Sequence, residues 1–174
     1  MSKLLIRSSH LPNRKGVRSP WILCLCLLLF SAFSLRPALA ENFFDGLEAF
    51  DGGDVAETVR IWSALADAGD ADAQVGLAGL YLSGNGVPLD ASEAARLYRL
   101  AALQGDNNGQ LNLGRLYLDG VGVERDMTSA YAWLTLAARQ GRRWAEEQRQ
   151  DIEPGLSKAN RAEAEAIIAD VESR

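Results

Sequence analysis

The side chains best able to do chemistry in this sequence are carboxylates. Glu146, Glu147, Asp151 and Glu153 crowd one stretch, and a pair of carboxylates is what acid/base hydrolysis of a glycosidic bond requires. The same stretch carries Arg142, Arg143 and Arg149 at helical spacing, so surface ion pairs explain it better. Asp67, Asp70 and Asp72 suggest a calcium ion, yet they do not follow the spacing of an EF-hand loop; a solvated, well-capped turn is the simpler reading. Gly84-Asn85-Gly86 offers glycines for cradling a phosphate, but it follows a helical pattern and lacks a third glycine and any Lys-Ser/Thr. It reads as a hairpin turn. Trp133 and Trp144 are able to stack on a ligand; the core is the better assignment for Trp133, and Trp144 stays open.

Composition narrows the chemistry further. The chain has 174 residues and a formal charge of -5, enough for one core and not two. All the charges of residues 1–40 are basic, and both cysteines (Cys24, Cys26) and the single histidine (His10) lie there. Residues 41–174 therefore hold 12 basic against 23 acidic side chains, with neither thiol nor imidazole. That excludes a Cys/His metal site, a histidine-based triad and a disulfide framework. The acidic balance argues against nucleic acid, whose phosphates call for Lys and Arg.

Residues 1–40 read as an export leader: a basic stretch, an apolar run from Trp21 to Phe33, and the small-residue site Ala38-Leu39-Ala40. The run is short for a membrane span of about 20 residues, so cleavage after Ala40 is expected. An uncleaved anchor is the alternative. Either reading exports residues 41 onward, to the periplasm or beyond it, and the membrane is met only through the leader if it is retained. Cys24 and Cys26 each follow a bulky Leu, which speaks against lipid modification.

The elements that must position everything else come from a repeat. Residues 73–108 superimpose on 109–144 at a period of 36, with identities that include Gln74/Gln110, Leu77/Leu113, Leu80/Leu116, Tyr81/Tyr117, Gly84/Gly120, Gly86/Gly122, Asp90/Asp126, Ala94/Ala130, Gln104/Gln140 and Gly105/Gly141. Residues 41–72 hold a partial copy, since Asp54, Ala66 and Gly69 precede Asp90, Ala102 and Gly105 by the same interval. Within a copy, Ala73, Leu77, Leu80 and Tyr81 mark one helical face. This helix A ends at a glycine turn. Asp90 then caps helix B, and Glu93 completes a capping box, as do Asp54 and Glu57 one copy earlier; Asp126 with Ser129 keeps only the cap. Gly105 closes helix B at the C′ position.

One unit is thus an antiparallel helical hairpin. It cannot bury its apolar face alone, so hairpins are expected to stack into a short all-α solenoid. Phe43 to Phe50 is expected to seal the first end with its aromatic side chains. Residues 145–174 supply capping helices at the other, broken at Pro154-Gly155 and restarted by Ser157.

These residues resemble the Sel-one-like repeat (SLR) family, relatives of the tetratricopeptide repeats. The pattern is visible as Ala73, Leu77-Ala78, Tyr81, Gly84-Asn85-Gly86-Val87, Asp90, Ala94, Tyr98 and Ala101-Ala102-Leu103-Gln104-Gly105. Its second copy runs through Leu113-Gly114, Tyr117, Gly120-Val121-Gly122-Val123, Asp126, Ala130, Trp133 and Ala137-Ala138-Arg139-Gln140-Gly141. The first copy departs at Ala78 and at Tyr98, which stands one place beyond the equivalent of Trp133. The resemblance implies a superhelical adaptor for protein-to-protein contact, with no cofactor and no shared catalytic residue. Exported bacterial members look like scaffolds or regulators of the envelope.

A binding surface is expected on the inner, helix-A side, at positions that packing does not need: Val75, Gly79 and Leu82 in the first copy, and Leu111, Arg115, Leu118 and Asp119 in the second. Such a mixed groove suits a peptide or helix from a partner protein. The alternative is a small enzyme or binder acting on cell-wall fragments or β-lactams, since some cysteine-rich relatives are associated with penicillin binding and hydrolysis. The paired cysteines of those relatives are missing here.

Overall fold

The computed structural model describes residues 41–174, so the leader and its cleavage site lie outside the described residues. Eight α-helices follow in order: α1 (Phe43–Asp51), α2 (Val55–Asp67), α3 (Ala71–Ser83), α4 (Ala91–Leu103), α5 (Asn107–Asp119), α6 (Met127–Arg139), α7 (Arg143–Ile152) and α8 (Lys158–Glu172), with a 3-10 turn at Glu153–Gly155 before the last. No strand occurs among the described residues. Each helix packs on the next through α7, so α1, α3, α5 and α7 are A helices and α2, α4 and α6 are B helices of a stacked solenoid.

Carboxylates start most of these helices. Asp70 Oδ1 accepts from the Ala73 N–H at 2.8 Å, and Asp106 does the same for Gly109. Helix A therefore begins two residues earlier than its apolar pattern suggests, because the capping residue precedes the first buried position. Asp54 and Asp90 accept from the N–H groups of Glu57 and Glu93. The expected reciprocal half of the capping box does not form: Glu57 and Glu93 turn outward and receive Arg60 and Arg96 instead. A guanidinium three residues on offers a carboxylate two bonds and an opposite charge, against one bond from the uncharged N–H of the cap residue. A complete box is found at Asn42, whose N–H donates to Asp45 at 2.8 Å.

The glycine turns lock neighbouring units together. Gly86 and Gly122 have φ of +74° and +69°, and they rest on Val55 and Ala91, the first residues of the preceding B helices. A Cβ on Gly122 would fall 2.0 Å from the Ala91 carbonyl oxygen, so only glycine is tolerated there.

A polar joint repeats beside the apolar core. Gln74 Nε2 donates to the Ala66 carbonyl at 3.2 Å, and Gln104 donates to Gln74 at 2.9 Å. One period later Gln110 donates to Ala102 and Gln140 to Gln110. Both Gln74 and Gln110 are buried, so these bonds satisfy groups that would otherwise be costly to enclose.

The two ends differ from expectation in detail. At the first, Trp62 does the sealing: it stacks on Phe43 at 5.2 Å and on Phe50 at 6.1 Å, while Phe44 points outward, 72% exposed. At the other, α8 does not continue the stack but packs behind α6, burying Ala164, Ile168 and Val171. Enclosed by α5, α7 and α8, helix α6 is buried over the whole run from Ala130 to Ala137, which is why its sequence is apolar nearly all round.

Candidate protein-docking face

The A helices present the face on which the sequence places its candidate residues. Val75, Leu82, Leu111 and Leu118 are half-buried and pack against the core, so the expectation that packing does not need them fails there: leucine and valine on a stacked helix find apolar neighbours whether or not a partner comes. Arg115 and Asp119 are the exposed members, joined by a loose 3.8 Å ion pair one turn apart, an arrangement that contributes little to stability.

Leu111 and Arg115 come together with Asn112 and Trp144 around a cavity of about 380 Å³. Trp144, 40% exposed, forms its wall from α7. Val75, Gly79, Leu82, Leu118 and Asp119 lie outside this cavity. Gly79 is half-buried, and a Cβ there would meet nothing nearer than the Tyr98 hydroxyl at 3.9 Å. Glycine inside a helix costs about 1 kcal/mol relative to alanine, and no internal clash explains it here.

The residue running from α4 toward this glycine belongs to a series that sequence reading missed. Trp62, Tyr98 and Leu134 stand one period apart on the three B helices, and all are buried. Trp62 lies against Gly46 of α1 and Gly76 of α3, filling the space between those A helices, and Leu134 lies against Gly114 of α5. The 36-residue interval was the available signal, obscured because alignment of the repeat on Trp133 draws attention to the neighbouring register.

The other chemical candidates resolve into structure. Arg149 binds Glu146 and Glu153, each at 2.9 Å, and Arg143 binds Glu147. Hydrogen bonds from Arg149 and Gln150 hold the Glu146 carboxyl at a pKa of about 2, which keeps it ionised and unsuited to act as a general acid at neutral pH. Asp70 is engaged as a cap. Trp133 is buried. Among the described residues no group of three or more His, Cys, Asp or Glu side chains is placed to hold a metal ion, and no helix is long and apolar enough to cross a membrane.

Stacked antiparallel hairpins with these caps and turns define a helical-repeat protein of the tetratricopeptide-like class. The Sel1 repeat model matches residues 71–106 and 108–141, and these two units are accordingly Sel1 repeats. Among solved structures it is similar to a protective antigen present in uropathogenic Escherichia coli strains and displaying an SLR fold, at 31% identity and a TM-score of 0.66 over 72% of this chain and 28% of that one. It is also similar to a Sel1 repeat protein from Oxalobacter formigenes, at 35% identity and a TM-score of 0.55 over 56% of this chain and 28% of that one. The chain thus spans little more than a quarter of either relative. No curated protein matches it in sequence.

Proposed function

We propose that this protein is an exported adaptor of the bacterial envelope that docks a segment of a partner protein on its A-helix face. Repeat folds of this class generally mediate protein-to-protein contacts. The observation that carries the reading is the cavity lined by Leu111, Asn112, Arg115 and Trp144. It combines an exposed indole and one cation, the side-chain types that anchor interfaces, with an aliphatic wall. Export rests on the leader pattern of residues 1–40. A catalytic role in cell-wall or β-lactam chemistry has less support, because the carboxylates of residues 146–153 are engaged in ion pairs.

Site-directed photocrosslinking tests the docking face. A crosslinker at Asn112 is expected to capture a discrete envelope protein that one at Glu165, on α8, does not, and Trp144→Ala should abolish the capture. Equal capture from both positions, or capture indifferent to Trp144, removes the A face from consideration.

A further inference from the structure

Trp62, Tyr98 and Leu134 share one register of the three B helices, and the polar atom there has a different fate each time. The Trp62 ring N–H donates to the Phe43 carbonyl at 3.2 Å. Leu134 has no polar atom. Tyr98 is only 5% exposed, yet its hydroxyl makes no hydrogen bond among the described residues. The ring is enclosed, while the hydroxyl oxygen keeps contact with solvent.

The hydroxyl has a way out. It lies 3.9 Å from the place a Cβ of Gly79 would occupy, and Gly79 is the one glycine of the α-helices with that direction open. A Cβ on Gly46, Gly76, Gly109 or Gly114 would come within 3.0 Å of a neighbouring atom. Arg115 lies close enough for its charge to act on the phenol, opposing the upward push of burial on its pKa. Arg115 is also the single cation of α1, α3 and α5, and its guanidinium has only the distant Asp119 as an ion-pair partner.

We propose that Gly79, Tyr98 and Arg115 form a receptor for the carboxylate of an Asp or Glu side chain on the docked partner segment, with an adjacent apolar side chain seated against Leu111 and Trp144. The inference rests on the A face being the docking face and names the chemistry it selects. The phenol donates one hydrogen bond and the guanidinium supplies charge with further donors. The missing Cβ lets the partner approach. Helices α1 and α3 carry four carboxylates, Asp45, Glu48, Asp51 and Asp72, and no cation, so acidic groups are repelled from them and the segment runs from Gly79 toward Trp144.

The probe is an array of peptides about ten residues long, acetylated and amidated so that only side-chain carboxylates are presented, followed by anisotropy titration of those retained. The retained peptides are expected to carry Asp or Glu beside Trp, Phe or Leu. Conversion of that acid to its amide should weaken binding to the native protein about tenfold, and should have little effect on binding to Arg115→Gln. Tyr98→Phe should weaken the acidic peptide several-fold with an unchanged melting temperature. Selection of basic or wholly apolar peptides overturns the receptor, as does an amide penalty that survives Arg115→Gln. Peptides that ignore the carboxylate but are lost with Trp144→Ala overturn the receptor and leave the docking face standing. An array that retains nothing overturns both. Recovery of an amide peptide by freeing its C-terminus reassigns the receptor to chain ends and overturns the side-chain claim.

Discussion

The two repeats keep the large buried side chains of their A helices and diverge where those helices face outward. Gln74, Leu77 and Leu80 recur as Gln110, Leu113 and Leu116, all buried, and the caps at Asp70 and Asp106 are the same. Across the A face, by contrast, Val75 becomes Leu111, Gly79 becomes Arg115 and Ser83 becomes Asp119, while Leu82 and Leu118 stay alike. Stacking therefore constrains one set of positions and leaves the other to vary from unit to unit. The first unit offers an open backbone, the second a charge, and the boundary between them is where Tyr98 emerges.

The comparison makes predictions that differ in size. Trp62→Ala should cost about 3–5 kcal/mol in chemical denaturation, because Phe43 and Phe50 both stack on that ring; a loss under about 1 kcal/mol would mean the first end is held by something else. Gln110→Ala should cost about 1–3 kcal/mol, and Gln74→Ala a similar amount, since the joint is the same in each unit. Unequal losses would break the equivalence of the repeats. Asp70→Ala and Asp106→Ala should each cost about 1 kcal/mol, read as shifts of denaturation midpoint at constant slope. Tyr98→Phe should stay within about 0.5 kcal/mol of the native protein, because its hydroxyl has no partner to lose.

The smallest effect concerns pH and falls outside the repeats. The Glu146 carboxyl sits at about 2 in the folded chain, below the ordinary 4.5, through bonds from Arg149 and Gln150. Its contribution is present above pH 4.5 and lost as the pH falls toward 2. The protection factors of the α7 amides, which are corrected for the intrinsic slowing of exchange in acid, should fall over that interval in the native protein and show no such step in Glu146→Gln.

Much of the fold was legible in the sequence because its determinants are local and recur. The glycine turns, the capping aspartates of α2, α4 and α6 and the helical stripes each declare themselves within a few residues. The reciprocal role of Glu57 and Glu93 was not legible, since either the cap N–H or an arginine three residues on satisfies a glutamate equally well on paper. Nor was the placement of α8 behind α6, which depends on tertiary contacts such as Asn160 donating to Thr128 at 2.9 Å. For the proposed docking face, the register of Arg115 could be read directly. The Tyr98 hydroxyl could not, because an unpartnered atom is visible only once every neighbour has a position.

The glutamine joints have a consequence for how such chains grow. Each one reaches back to the carbonyl of the preceding unit and receives the amide of its own second helix. A duplicated block of the same length, inserted between Gly105 and Asp106, would arrive with its connections already complementary on both sides. Elongation by tandem gene duplication would then need no compensating change at either terminus, and each new block would bring one more blank surface for selection to write upon.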